Sequence, residues 1–121
     1  MLKKVLSIFL LSYISLFAFE HITPENIEEK LNGKRVIVDF YATWCPPCQI
    51  LSKNLENYGK IKPDDVYIYK VDIDENRDIA LDYGVQSLPT LAYFKDGKLI
   101  TTKVGIRTTK QLQEDANTYL K

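Results

Sequence analysis

Residues 35–42, RVIVDFYA, form a nearly unbroken run of β-branched and aromatic side chains. A strand that is apolar at almost every position reads as a central strand covered on both faces. The one acid inside it, Asp39, is therefore expected to be a buried carboxyl. Directly after it comes ATWCPPCQ, residues 42–49, which holds both cysteines of the 121-residue chain, separated by two prolines.

The neighbouring stretches alternate between strand and helix. FEHI is a candidate short strand. Thr23, Pro24 and Glu25 read as a helix start: a capping hydroxyl, a proline at the first helical position and an acid near the positive end. Asn32-Gly33 is a fitting stop. Leu51, Leu55 and Tyr58 recur at helical spacing, so a helix is expected from about Cys45 to Tyr58. DVYIYKVDI is the next strand, and Asn76 to Tyr83 a helix ending at Gly84. TLAYF and LITTKV, joined by KDGK, predict a β-hairpin, and a helix from about Thr109 to Leu120 closes the chain. The order β-α-β-α-β-α-β-β-α implies an α/β domain with a mixed sheet between helices.

One domain is all that this length accommodates. Sixteen basic residues balance sixteen acidic ones, with no basic cluster interleaved with aromatics, so nucleic acid is not an expected partner. The first 18 residues differ in character from the rest. Lys3 and Lys4 precede VLSIFLLSYISLFAF, an uncharged run that ends at Glu20 and is shorter than the ~20 residues a membrane-spanning helix needs. This pattern predicts an export signal over residues 1–18, ahead of a domain at residues 19–121. Ala18 suits a cleavage site and the large Leu16 does not, so an uncleaved membrane tether is the alternative. Loss of Lys3 and Lys4 would leave 14 of the 16 basic residues against 16 acidic ones.

The cysteine pair admits several chemistries. A structural zinc site wants four ligands, and here one pair is accompanied by a single distant histidine, His21. Covalent haem needs histidine after the second cysteine, where Gln49 stands. A structural disulfide suits an exported protein. Yet a four-residue ring is worth only about 2 kcal/mol on the loop-entropy model, against about 3 for a 15-residue loop. The pair also opens a helix at the carboxyl end of a central strand, where open α/β sheets place their sites and where helix amides stabilise a thiolate. A redox pair is the reading this position favours.

VDFYATWCPPC resembles the active-site segment of the thioredoxin family, whose usual form is V-D-F-W-A-x-W-C-G-P-C, and the likeness continues through YKVDIDEN, YGVQSLPTLAYFKDGK and TKVG, across nearly all of Phe19 to Lys121. The resemblance implies a thioredoxin fold and thiol-disulfide exchange with disulfide-bearing proteins, with no cofactor beyond the Cys45/Cys48 pair and no metal. It implies that Cys45 is the exposed attacking cysteine and Cys48 the buried resolving one. It further implies that Asp39 is a buried acid with Lys70 near it, and that Pro89 follows a cis peptide bond and lies against the disulfide. Trp44, Leu88, Val104, Gly105 and Ile106 match the groove that receives a substrate strand. Three departures stand out: Pro46 replaces glycine, Tyr41 replaces tryptophan, and Lys53 replaces a helix-kinking proline, which suggests a straighter helix. The expected activity is that of a protein-disulfide reductase, monomeric, exported and re-reduced by a membrane thiol-electron donor. Its rivals are a disulfide-donating oxidase or isomerase and a copper carrier using the same two sulfurs.

Overall fold

A computed structural model describes residues 19–121; the proposed export signal at residues 1–18 lies outside the described residues. The elements are β1 (Glu20–His21), α1 (Ile27–Leu31), β2 (Arg35–Tyr41), α2 (Pro46–Gly59), β3 (Val66–Asp72), α3 (Arg77–Asp82), β4 (Thr90–Lys95), β5 (Lys98–Val104) and α4 (Thr109–Tyr119). This is the predicted order. The strands form one sheet in the order β1-β3-β2-β4-β5, with β1 and β2 parallel to β3 and with β2, β4 and β5 successively antiparallel.

β2 lies in the middle, as its unbroken apolarity requires. Val36, Val38 and Phe40 pack on one side with Leu31 of α1 and with Ile79 and Ala80 of α3. Ile37 faces the other side, against Leu51, Leu55 and Tyr58 of α2 and Leu112 and Ala116 of α4. Because strand side chains alternate, Asp39 shares the α2/α4 side with Ile37. Its oxygens are enclosed there, in an apolar layer.

The largest departure from expectation is the first helix. It begins at Ile27, not at Pro24, and the Thr23 hydroxyl caps nothing. Instead the backbone N–H of Thr23 donates to Asn26 Oδ1, while the N–H groups of Asn26 and Ile27 donate to the Thr23 carbonyl. Residues 23–26 thus close a turn of their own before the helix starts. The side chain that closes this turn is that of Asn26 and not the Thr23 hydroxyl, and Asn side chains stabilise such turns as readily as they cap helices. The first strand is also shorter than FEHI.

Elsewhere local chemistry and element agree. Pro46 and Pro47 occupy the first two positions of α2, where a missing N–H costs no helical hydrogen bond. α2 then runs unbroken through Lys53. Thr108 and Gln111 cap α4 reciprocally, each side chain bonded to the other's backbone N–H. Asp96 and Gly97, both at positive φ, make the two-residue turn between β4 and β5.

Candidate active site

The sheet topology brings three loops to one edge. β2 and β3 are parallel and end together, with Tyr41 opposite Asp72. β4 is antiparallel to β2 and starts where β2 ends, with Phe40 opposite Thr90, and β5 ends where β4 starts, with Thr90 opposite Val104. The segment leaving β2 (Ala42–Cys48), the segment entering β4 (Leu88–Pro89) and the segment leaving β5 (Val104–Ile106) must therefore meet. The backbone N–H of Gly105 donates to the Pro89 carbonyl, 2.8 Å away, joining two of them. Gly105 does so at a φ of +95°, a conformation that a side chain would resist.

Cys45 and Cys48 are joined as a disulfide, with Cα atoms 5.2 Å apart. Cys45 is the N-cap of α2 in extended backbone, and its Sγ accepts the backbone N–H of Cys48 at 3.2 Å. Cys48 lies in the first helical turn. The two sulfurs thus differ in position, one outside the helix and one within it. They do not differ in cover as expected: Cys45 is 4% exposed and Cys48 3%. The expectation of an exposed Cys45 is corrected here, because Ala42, Tyr41, Ile73 and Leu88 form an apolar collar around the pair.

The peptide bond between Leu88 and Pro89 is cis. Around the pair, Trp44, Val104 and Ile106 are exposed, Leu88 and Gly105 are half-buried, and Pro89 is buried. The five residues matched to a substrate groove thus lie on the three converging segments. Trp44 is turned by a hydrogen bond from its Nε1 to Asp74 Oδ2, 2.8 Å away on the loop after β3. Sequence reasoning missed Asp74, since an acid in an exposed loop carries no local mark of its partner.

On the α2/α4 side of β2, Asp39 is completely buried and neither carboxyl oxygen has a hydrogen-bond partner. Lys70, its cross-strand neighbour, brings Nζ to 3.8 Å of Oδ2, so the two expected neighbours do meet. Burial pushes the Asp39 carboxyl up to about 7, and the positive charge of Lys70 pulls the other way. Such a group can take or give a proton near neutral pH. Two further contacts of Lys70 were not foreseen: Nζ donates to Ser52 Oγ at 2.9 Å and lies 4.5 Å from the centre of the Tyr41 ring. Among the described residues no group of three or more His, Cys, Asp or Glu side chains is arranged to hold a metal ion.

The thioredoxin family model matches residues 18–118. A thioredoxin from Bacillus subtilis is 42% identical over 98 residues, which span 81% of this chain and 94% of that protein. One from Listeria monocytogenes is 36% identical over 101 residues, covering 84% and 98%. Among solved structures, Malassezia sympodialis thioredoxin superposes with a TM-score of 0.75 at 34% identity, covering 84% of this chain and 90% of that one. A mutant thioredoxin from Halobacterium salinarum gives 0.74 at 32%, covering 85% and 89%. A disulfide capping a helix at the end of a central strand, in a five-stranded mixed sheet of this order, is what those relatives lead one to find, and the chain belongs to the thioredoxin family of protein-disulfide oxidoreductases.

Proposed function

We propose that the chain works as a reductase of protein disulfides outside the cytoplasm. Cys45 as thiolate attacks one sulfur of a substrate disulfide; the other substrate sulfur leaves as a thiolate and takes up a proton. Cys48 then loses its proton to Asp39 and attacks Cys45 Sγ, which releases the second substrate thiol and closes the Cys45–Cys48 disulfide. Two electrons pass from the protein to the substrate. The Trp44, Leu88 and Val104–Ile106 surface takes the substrate strand, and Pro89 borders it.

The observation that carries the direction is the donor count at Cys45. The first two residues of α2 are prolines without amide hydrogens, and the backbone donor that reaches Sγ is that of Cys48. A thiolate there gains less from the helix terminus than in a site with three free amides, so the reduced form is stabilised less and electrons are released more readily. The prolines also restrict the open dithiol, which lowers the entropy lost on closing the ring.

The Lys3-Lys4 pair and the apolar run after it support export, with a membrane thiol-electron donor returning electrons and the domain acting as a monomer. Equilibration against glutathione and dithiothreitol tests the reading. The expected potential is nearer -270 mV than -120 mV, roughly the values of thioredoxin and of the periplasmic oxidant. A value more oxidising than about -180 mV would establish a disulfide donor instead. Tight equilibrium binding of one Cu(I) without disulfide reduction would establish a copper carrier.

A further inference from the structure

Lys70 stands beside Asp39 without bonding it. At 3.8 Å the ammonium is outside hydrogen-bond reach of the carboxylate, although the two residues are in register on adjacent strands. Its contacts go to groups that carry no charge: Ser52 Oγ on α2 and the face of the Tyr41 ring on β2. Tyr41 is itself held, since its hydroxyl lies 2.8 Å from His21 Nε2 and the two rings meet edge to face. His21 is the cross-strand neighbour of Lys70 in β1. The Lys70 side chain is only 15% exposed, whereas a lysine stem ordinarily carries its ammonium out to water.

We propose that Ser52 and Tyr41 are positioning residues that pin the Lys70 ammonium beside Asp39 in both protonation states of that carboxyl.

A lysine held by the Asp39 charge alone would lose its only reason to stay inside whenever the carboxyl took a proton. It would then swing into solvent, where its rotamers are free and its charge is hydrated. A hydroxyl and an aromatic face do not change charge as Asp39 titrates, so they hold the ammonium throughout. The positive field is already in place when the proton leaves, and no side chain has to move for Asp39 to ionise. With either neutral partner removed, the protonated state gains the freedom of the released lysine and the ionised state does not. The Asp39 carboxyl therefore keeps its proton to higher pH.

The other groups around Asp39 leave this effect readable. β4 presents the apolar Leu91 and β3 presents Lys70. α2 contributes Ser52, which is bonded to Lys70 and does not titrate, and its Cys48 is held in the disulfide and does not titrate either; α4 brings the apolar Leu112 and Ala116 to the same side of the sheet. Burial pushes the Tyr41 phenol upward, away from the range in question. His21 lies beyond Lys70 on β1, and its ring signals are read separately from a carboxyl carbon.

This deepens the assignment of Asp39 as proton acceptor and rests on it for its bearing on exchange. The test is therefore a titration that does not depend on activity. The oxidised protein, with 13C-labelled aspartate, is followed by NMR through the carboxyl carbon of Asp39 in wild type, Ser52→Ala, Ser52→Thr and Tyr41→Leu, with thermal melting to confirm folding. The midpoint should rise by at least about half a pH unit in Ser52→Ala and in Tyr41→Leu, and Ser52→Thr, which keeps a hydroxyl, should restore it. In exchange assays the alkaline shift of the rate profile should follow the same order. A midpoint that is unmoved or lower in both Ser52→Ala and Tyr41→Leu would overturn the proposal. Failure of the acceptor role itself shows elsewhere, as an unchanged exchange rate in Asp39→Asn.

Discussion

Two aspartates are sealed on the same side of the sheet, in the layer beneath α2 and α4, and their surroundings are opposite. Asp115 of α4 receives two hydrogen bonds from the Arg107 guanidinium, at 2.8 and 2.9 Å, and one from the Tyr93 hydroxyl at 2.9 Å. Asp39 of β2 receives none, and its nearest cation stops at 3.8 Å. Removing a carboxylate from water is costly unless donors replace the water. Around Asp115 they do, and the carboxylate links α4, β4 and the segment after β5. Around Asp39 they do not, and burial is expressed as a raised proton affinity. The contrast separates a carboxylate that serves the fold from one that is available for proton transfer.

The largest effect should come from cutting the satisfied cluster. Asp115→Ala leaves Arg107 half-buried without its partner and Tyr93 with a buried, unpaired hydroxyl, and should cost about 3–5 kcal/mol of stability. Urea unfolding measures it. A loss under about 1 kcal/mol would erase the distinction between the two sites.

Asp39→Asn should act in the opposite direction. In the native protein the carboxyl titrates at about 7, whereas in the unfolded chain it does so near 3.9. Below about pH 4 both states hold the proton and Asp39 adds nothing. Between about 4 and 7 the native state binds more protons than the unfolded one, so stability falls as pH rises, and above 7 the full penalty persists. Three units correspond to at most about 4 kcal/mol. The variant should therefore be more stable than wild type at pH 8, with the gain disappearing toward pH 4. Its disulfide exchange should slow by about 100-fold at the step where Cys48 attacks. Lower stability at pH 8 together with full activity would show that Asp39 is a structural partner like Asp115.

Tyr93→Phe gives the smallest change. It takes one of three donors from Asp115 and leaves the guanidinium pair in place, for a loss of about 0.5–1.5 kcal/mol and no change in exchange rate. A slowed exchange reaction would couple the two carboxylates that the comparison separates.

Much of this was legible in the chain. The continuous apolarity of RVIVDFYA placed β2 at the centre of the sheet, because no other location leaves both faces dry. The strand and helix periods yielded the element order, and the Asp-Gly turn marked the hairpin, since these signals act over a few residues. Asp39 was legible as buried for the same reason as β2. The first helix was not, because Thr23 and Asn26 use their polar groups on a local turn and the sequence signal for a turn and for a cap is the same.

Other features depended on residues far apart in the chain. Whether a buried acid is satisfied or bare depends on which donors the fold brings to it, and Arg107 and Tyr93 reach Asp115 only because β4, β5 and α4 stack. The same holds for Ser52 and Tyr41 at Lys70, for Asp74 at Trp44, and for the apolar collar that covers Cys45 as closely as Cys48. The sequence determined the backbone pattern and the kinds of side chain at the redox site, because propensity and burial period are local properties. Only the tertiary structure decided their partners and their cover, because hydrogen bonds, ion pairs and solvent exclusion arise between elements that no local pattern connects.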